Sequence, residues 1–208
     1  LDKEPQRIIS LSPGITEILF SLGAQDKLVG VSDFCNYPAE TQKITKVGGM
    51  QNINMEVLLS LHPDVVLIGS IVSQKDVNAI EKMHIPVIAV REETNLENMA
   101  DEIEILGKIT NKNDAAKLQS KHWKDKIKKL KQQRDLNTNP KHTIYYVVGF
   151  GDAGDFTAPK DTHIQEIIDL AGGINAGKDL KDWSVSREFL FKLDPDIILV
   201  RKEDMDSF

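Results

Sequence analysis

The chain contains one helix–proline–strand phrase twice. Residues 55–69 read MEVLLSLHPDVVLIG and residues 187–201 read REFLFKLDPDIILVR, and a constant offset pairs Asp64 with Asp196. In each copy, apolar residues at helical spacing precede a proline, which disfavours helical geometry in the residue before it. A short β-branched apolar run follows, as is typical of a buried parallel strand. Two such units far apart in the sequence predict two similar lobes.

Composition narrows the possible classes of protein. The net charge of -6 argues against a nucleic-acid-binding surface, and we interpret the Lys-rich segment 117–131 as the solvated face of a helix. Cys35 is the single cysteine, so an intrachain disulfide is excluded, and we expect its side chain to be half-buried. No apolar run approaches the roughly 20 residues that span a bilayer, and the start at Leu1 is typical of a mature or trimmed protein.

The rest of the sequence predicts alternating strands and helices, hence an α/β fold with mostly parallel sheets. A strand at 7–11 meets the turn Ser12-Pro13-Gly14, where a serine suits the N-cap and a proline the first helical position. One uninterrupted run without Gly or Pro, at 113–136, predicts a single long helix. The other predicted strands are 28–32, 65–69, 87–90 and 143–148, and the other predicted helices include 74–83, 95–107 and 162–170.

Five blocks, in this order, resemble the class III substrate-binding proteins of ABC importers. They read RIISLSPGITEILFSLGA, VGVSDFCNYP, the repeated phrase, FTAPKDTHIQEIIDLAGGIN and WSVSREFLFKLDPDIILV. That family carries cobalamin, ferric siderophores or haem, and the similarity is greatest to its vitamin B12-binding members. The resemblance implies two Rossmann-like lobes joined by one rigid helix, with the ligand held between them: 1–109, the helix 110–137, and 138–208. Family members continue past the strand at 197–200, so it also implies that the second lobe is incomplete here.

The resemblance further implies a role without catalysis or cofactor. Such a protein captures a corrinoid such as cobalamin and delivers it to the permease of an ABC importer. It works in the periplasm or at the extracellular face of the membrane, without nucleic acid. It meets the membrane only through the permease or through a lipid anchor outside this chain.

Ligands of open α/β sheets bind outside the carboxyl ends of the strands. The loops expected there are rich in aromatic residues, although aromatics make up only 6% of the chain. Rigid aromatic faces with a few amide donors suit a flat macrocycle. The predicted ligand-binding residues are Ser12, Pro13, Gly14, Phe34, Tyr37, Met50, Gln51, Ser70, Phe150, Asp152, Phe156, Trp183 and Ser184.

Two further assignments depend on the resemblance. Trp183 matches a tryptophan that B12-binding relatives keep in this motif, whereas those relatives carry a tryptophan at the position of Met50, so one stacking surface is absent here. Family members also present one carboxylate on each lobe to arginines of the permease, a charge pairing that sets orientation and encounter rate. The candidate permease-docking residues are Gln74, Asp76, Glu203 and Asp204.

Other functions stay open at this stage. A ferric siderophore or haem carrier would use Arg187, Tyr37 or His163. A protein that binds a metal directly would need Asp33, Asp152, Asp155 and His163 to converge.

An enzyme or sensor domain on an α/β scaffold is the alternative from another class. The five histidines show neither HxH nor HExxH spacing, and GxxxxGK[ST] does not occur. The Gly-rich loop 149–155 carries two acids, which repel phosphate. We therefore predict no catalytic residue, no resident metal and no nucleotide.

Overall fold

A computed structural model describes residues 3–49, 52–69, 72–90, 95–152, 154–205 and 207. Within them the chain forms ten strands and seven α-helices. The strands are β1 (Ile8–Ser10), β2 (Leu28–Val31), β3 (Thr45–Lys46), β4 (Val65–Ile68), β5 (Val87–Ala89), β6 (Thr143–Tyr146), β7 (Asp155–Phe156), β8 (Ile174–Asn175), β9 (Ser184–Val185) and β10 (Ile197–Leu199). The α-helices are α1 (Pro13–Ser21), α2 (Met55–Ser60), α3 (Gln74–Glu81), α4 (Met99–Ile109), α5 (Asn113–Leu136), α6 (His163–Leu170) and α7 (Arg187–Leu193).

The chain divides into two compact units. Unit 1 consists of Leu1–Glu93 with Met99–Trp123, and unit 2 of Thr94–Asn98 with Lys124–Phe208. Helix α5 contributes its first half to unit 1 and its second half to unit 2. The lobe boundaries drawn from the sequence stay a prediction. In the part of the chain that the structure describes, no helix has both the length and the apolar composition of a membrane span.

Unit 1 is built on a parallel sheet of five strands in the order β3-β2-β1-β4-β5. Successive side chains of a strand point to opposite faces, so Ile8 and Ile9 enter two different cores. Ile8 packs with buried residues of α1 and α4, and Ile9 packs with buried residues of α2 and α3. Helices thus cover both faces of the sheet, and the predicted α/β fold with parallel strands is confirmed.

Unit 2 contains a smaller parallel sheet, in the order β10-β6-β8, and an antiparallel pair formed by β7 and β9. Tyr145, Val147 and Val185 form a buried core cluster of this unit, and Phe189 and Leu190 of α7 pack against it. Strand β10 lies at the edge of its sheet, and all three of its side chains are exposed.

The aspartate of the repeated phrase has the same structural role in both units. In unit 1, Asp64 Oδ2 accepts the backbone N–H groups of Gln6 at 2.7 Å and Arg7 at 2.9 Å. In unit 2, Asp196 Oδ2 accepts the backbone N–H of Thr143 at 2.7 Å and its hydroxyl at 2.8 Å. Each aspartate therefore ties the start of its own strand to the start of the first strand of the same unit.

These hydrogen bonds predict a pH dependence of stability. The backbone N–H of Thr143, and next its hydroxyl, lower the pKa of Asp196 below its ordinary value of 3.8. A carboxyl group with a lower pKa in the folded state stabilises the fold above its unfolded pKa, and this contribution is lost as the pH falls through the folded pKa. We expect Asp196→Asn to lose less stability than the wild type between pH 5 and pH 2, a window of about three units around the unfolded value. Urea unfolding across this range measures the difference.

The exposed Asp179 supplies the control, because Asp179→Asn also removes one carboxylate from unit 2. Its pH profile should follow the wild type. Parallel profiles for Asp196→Asn and the wild type would contradict the assigned role.

The helix predicted at 95–107 begins four residues later, at Met99. Asn95 Oδ1 accepts the backbone N–H groups of Glu97 at 2.7 Å and Asn98 at 3.3 Å, which holds this segment in a turn. Glu166 Oε2 accepts the N–H of Leu96 at 2.6 Å. Because that acceptor lies 70 residues away, helical periodicity could not reveal it.

The expectation that Cys35 is half-buried is also wrong. Its side chain is fully buried and belongs to the core of unit 1. Polar groups on neighbouring elements of that unit enclose the thiol.

Candidate ligand-binding loops

The order of strands in unit 1 creates a switch point beside its central strand. Strand β1 has β2 on one side and β4 on the other, so the chain leaves the central strand toward opposite edges of the sheet. In such sheets, ligands bind outside the carboxyl ends of the strands at this point. Ser12 follows β1 and caps α1, its side chain accepting the N–H of Ile15 at 3.5 Å, and Pro13 is the first residue of the helix. Ser12 is buried and Gly14 is exposed, so the outer surface of this turn is backbone.

The loop after β2 presents two aromatic side chains to solvent. Phe34 is 56% exposed and Tyr37 is 65% exposed. The N–H of Asp33 donates to the carbonyl of Gly48 at 2.9 Å, which joins this loop to the turn after β3. One ring carbon of Phe34 lies 3.5 Å from the position that a Cβ on Gly49 would occupy. Tyr37 also lines a surface groove of about 390 Å³ in this unit.

Three of the predicted ligand-binding residues, Met50, Gln51 and Ser70, lie outside the described residues. The described residues on either side of positions 50 and 51 are held by backbone and capping contacts. Gly48 and Ile53 form an antiparallel bridge, and Asn54 caps α2 through the N–H of Val57 at 3.1 Å.

In unit 2 the antiparallel strand pair brings two predicted loops together. Phe156 pairs with Ser184, and the N–H of Thr157 donates to the carbonyl of Trp183 at 2.9 Å. The N–H of Val148 donates to the carbonyl of Phe156 at 2.9 Å, which folds the loop after β6 back onto β7. Ser186 caps α7, and it stands one residue before the repeated phrase, as Asn54 does in unit 1.

The aromatic residues of unit 2 differ in exposure. Trp183 is 40% exposed, whereas Phe156 is partly buried and Phe150 packs against the core that contains Tyr145. Asp152 is exposed in the same loop. The structure therefore gives solvent access to three of the five aromatic candidates: Phe34, Tyr37 and Trp183.

The loop after β6 also has the glycine spacing of a dinucleotide-binding loop. Gly149, Gly151 and Gly154 spell GxGxxG directly after a strand. In a dinucleotide site the loop opens a helix, whose N-terminus holds the pyrophosphate. Here the loop leads into strand β7, so in the described part of the chain no helix follows the loop directly, as a dinucleotide site would require.

The candidate permease-docking residues have different partners. Asp76 accepts the hydroxyl of Ser73 at 2.7 Å, while the N–H of Asp76 donates to the same hydroxyl at 3.2 Å, so Ser73 caps the start of α3. Arg201 Nε donates to Asp204 at 2.7 Å. Gln74 is exposed and donates to Asn78 at 2.9 Å, and the side chain of Glu203 is not among the described ones. These four assignments stay predictions.

Sequence reasoning missed a buried polar network beneath the loops of unit 1. Thr16 Oγ1 lies 2.8 Å from Ser10 Oγ and 3.2 Å from Cys35 Sγ, and Ser32 Oγ lies 3.2 Å from the same sulfur. All four side chains are fully buried. The signal was a threonine beside Ile15 and close to Leu19, which belong to the apolar face of α1.

The described residues contain no group of three or more His, Cys, Asp or Glu that could hold a metal ion. Within unit 2, Asp152, Asp155 and His163, which were named for direct metal binding, therefore do not form such a group. Burial, and after it the charge of Asp155, raises the pKa of Tyr145 to about 12, so this phenol stays neutral at physiological pH.

Comparison with known proteins identifies the family. The model of the periplasmic binding protein family matches residues 8–207, so the chain belongs to that family. The chain is 30% identical over 203 residues to an uncharacterized ABC transporter substrate-binding lipoprotein, YvrC, of Bacillus subtilis, covering 96% of this chain and 64% of that protein. It is 28% identical over 205 residues to a cobalamin-binding protein of Halobacterium salinarum, covering 96% of this chain and 54% of that protein. The chain thus spans between about half and about two thirds of the length of these two relatives.

Solved structures agree on the fold. The vitamin B12 binding protein BtuF of Vibrio cholerae superposes with a TM-score of 0.83 at 24% identity, covering 98% of this chain and 79% of that chain. The periplasmic heme-binding protein RhuT of Roseiflexus superposes with a TM-score of 0.86, also at 24% identity, covering 97% of this chain and 78% of that chain. Since both identities are low, these likenesses establish the architecture but do not identify the ligand.

Proposed function

We propose that this protein captures cobalamin or a related corrinoid outside the cytoplasm and delivers it to the permease of an ABC importer. Membership of the periplasmic binding protein family supports the solute-binding role. The relative from Halobacterium, whose name is cobalamin-binding protein, supports the ligand class. The periplasmic binding protein family and the relative YvrC, which is named a substrate-binding lipoprotein, support a location in the periplasm or on the outer face of the membrane.

The observation that carries the proposal is the exposure of Phe34, Tyr37 and Trp183 in loops at the carboxyl ends of strands. Contact between a large aromatic side chain and water costs free energy that burial would recover, so three such side chains exposed in loops indicate a surface that binds a partner. Neither a phosphate nor a small ion would use such faces, whereas a corrinoid ring offers a flat, largely apolar partner. The remaining predicted ligand-binding residues would surround the ring with backbone amides and hydroxyl groups.

A protein with this role binds and releases its ligand without chemical change. We accordingly propose no catalytic residue and no resident cofactor, the corrinoid being cargo. The permease would contact Gln74 and Asp76 of α3 in unit 1, and Glu203 and Asp204 in unit 2.

Haem or a ferric siderophore is the second candidate ligand. Tyr37 and His163 are both exposed, and a phenol or an imidazole can ligate iron. Tyr145 does not serve in this way, because it is buried and its pKa is raised to about 12. The likeness to RhuT is compatible with this candidate at the level of fold.

Equilibrium dialysis against cyanocobalamin, cobinamide, haem and a ferric siderophore tests the proposal. We expect the corrinoids to be retained at about one ligand per chain with a dissociation constant near or below about 1 μM, which corresponds to about 8 kcal/mol. Retention of haem alone would select the second candidate. If a folded sample retained none of the four ligands, the proposal would be wrong.

A further inference from the structure

A buried polar network links the elements that carry the exposed aromatic residues of unit 1. Thr16 Oγ1, on α1, lies 2.8 Å from Ser10 Oγ, 2.9 Å from the carbonyl of Ser12 and 3.2 Å from Cys35 Sγ. The hydroxyl of Ser32 approaches the same sulfur at 3.2 Å. One threonine therefore joins the end of β1, the start of α1 and the loop after β2.

Strand β3 joins the same network from its other side. Lys46 Nζ donates to the carbonyl of Cys35 at 2.6 Å and lies 3.4 Å from the carbonyl of Ser32. Cys35 is thus held at its sulfur and at its carbonyl by two different elements. Its neighbours along the chain include Phe34, and Tyr37 is two residues further on.

The network affects the positions of the groups that it joins more than it affects the free energy of unfolding. Hydrogen bonds that replace bonds to water add little net stability, but a satisfied buried network selects one arrangement of the groups that it joins. An apolar side chain at position 16 would fill the same volume, but it would form no hydrogen bond that fixes the position of the loop after β2. Both rings are more than half exposed, so their orientation depends in large part on the backbone beneath them.

We propose that Thr16 and Cys35 are positioning residues for ligand binding, which fix loop 33–37 so that Phe34 and Tyr37 are held ready for the ligand. The inference rests on the proposed function of these loops and adds to it two residues that are buried beneath the predicted contact surface. Without the network the loop samples more conformations, and binding then has to order it at a cost in affinity.

Thr16→Val removes the hydroxyl at nearly constant volume, and Cys35→Ala removes the sulfur. Each change is expected to raise the dissociation constant for cyanocobalamin about tenfold, the effect of ordering one or two flexible side chains on binding. Thr16→Ser and Cys35→Ser keep a hydrogen-bonding group and should stay within about twofold of the wild type. Calorimetric titration at 25 °C, with the folded fraction confirmed by unfolding curves, measures these constants.

Thr110→Val is the matched control. Thr110 is fully buried in the same unit, and its hydroxyl donates to the carbonyl of Leu106 at 2.8 Å, at the end of α4. It should lower stability about as much as Thr16→Val while leaving the dissociation constant unchanged. If the network only stabilised the fold, the two valine variants would show the same change in dissociation constant for the same loss of unfolding free energy.

Amide hydrogen exchange without ligand separates this inference from the proposed function. Exchange of residues 33–37 should become faster in Thr16→Val and Cys35→Ala but not in Thr110→Val. Unchanged exchange would overturn the inference, as would faster exchange with an unchanged dissociation constant. If the wild type bound no ligand while exchange responded as expected, the proposed function would fail and the positioning of the loop would stand.

Discussion

Trp183→Ala is expected to weaken cyanocobalamin binding about tenfold to a hundredfold, because an aromatic anchor at the centre of a contact contributes about 1.4–2.7 kcal/mol. The side chain is 40% exposed and is not part of the core that contains Tyr145, so its removal leaves that core intact. The carbonyl of Trp183 accepts the N–H of Thr157, and alanine keeps this bond together with the β7–β9 pair. The loss should therefore appear in the dissociation constant, measured by calorimetric titration on samples that unfolding curves show to be folded.

Phe191→Ala is the control for this prediction. Phe191 is 84% exposed on α7 of the same unit, but it lies on a helix and outside the loops at the carboxyl ends of the strands. Its removal should leave the affinity unchanged, and Trp183→Phe should lose less affinity than Trp183→Ala because an aromatic face remains. Equal affinities for Trp183→Ala and the wild type would show that Trp183 does not contact the ligand.

Gly48→Ala is expected to destabilise the protein by about 2–5 kcal/mol, from backbone strain and steric overlap together. Gly48 has a φ of 93°, a conformation that side chains rarely adopt. An added Cβ would lie 2.6 Å from the carbonyl oxygen of Asn52 and 3.0 Å from the backbone N of Asn54. Both atoms belong to the backbone, so no rotamer change relieves the overlap. Urea unfolding gives the free energy directly.

Gly151→Ala separates the two contributions. Gly151 has a similar φ of 103°, but an added Cβ there meets no atom within 4 Å. This variant should lose only the backbone contribution, about 1–2 kcal/mol. If the two alanine variants were equally stable, the close packing assigned to the turn at Gly48 would be wrong.

Local sequence signals predicted the parts of the fold that local physics decides. The helix at 113–136 begins and ends where the absence of glycine and proline predicts it. The cap predicted at Ser12 is present, and its side chain accepts the N–H group three residues ahead. The repeated phrase predicted two similar units, since each copy places an aspartate where a strand begins.

Contacts between distant residues explain what the sequence could not reveal. The turn at 95–98 depends in part on Glu166, and the burial of Cys35 depends on Thr16 and on Lys46. Periodicity also does not distinguish a loop aromatic that packs on its own core from one that faces solvent. Phe150 and Phe34 occupy similar positions after their strands, yet the first joins a core and the second is exposed.

Hydrogen exchange with and without saturating cyanocobalamin tests most directly the claim that the loops at the carboxyl ends of the strands bind a corrinoid. We predict that the ligand slows amide exchange in residues 33–37 of unit 1 and 182–185 of unit 2, while exchange near Asp64 and Asp196, at the opposite ends of the strands, stays unchanged. A bound corrinoid that protected neither loop, or that protected only the opposite ends of the strands, would contradict the account.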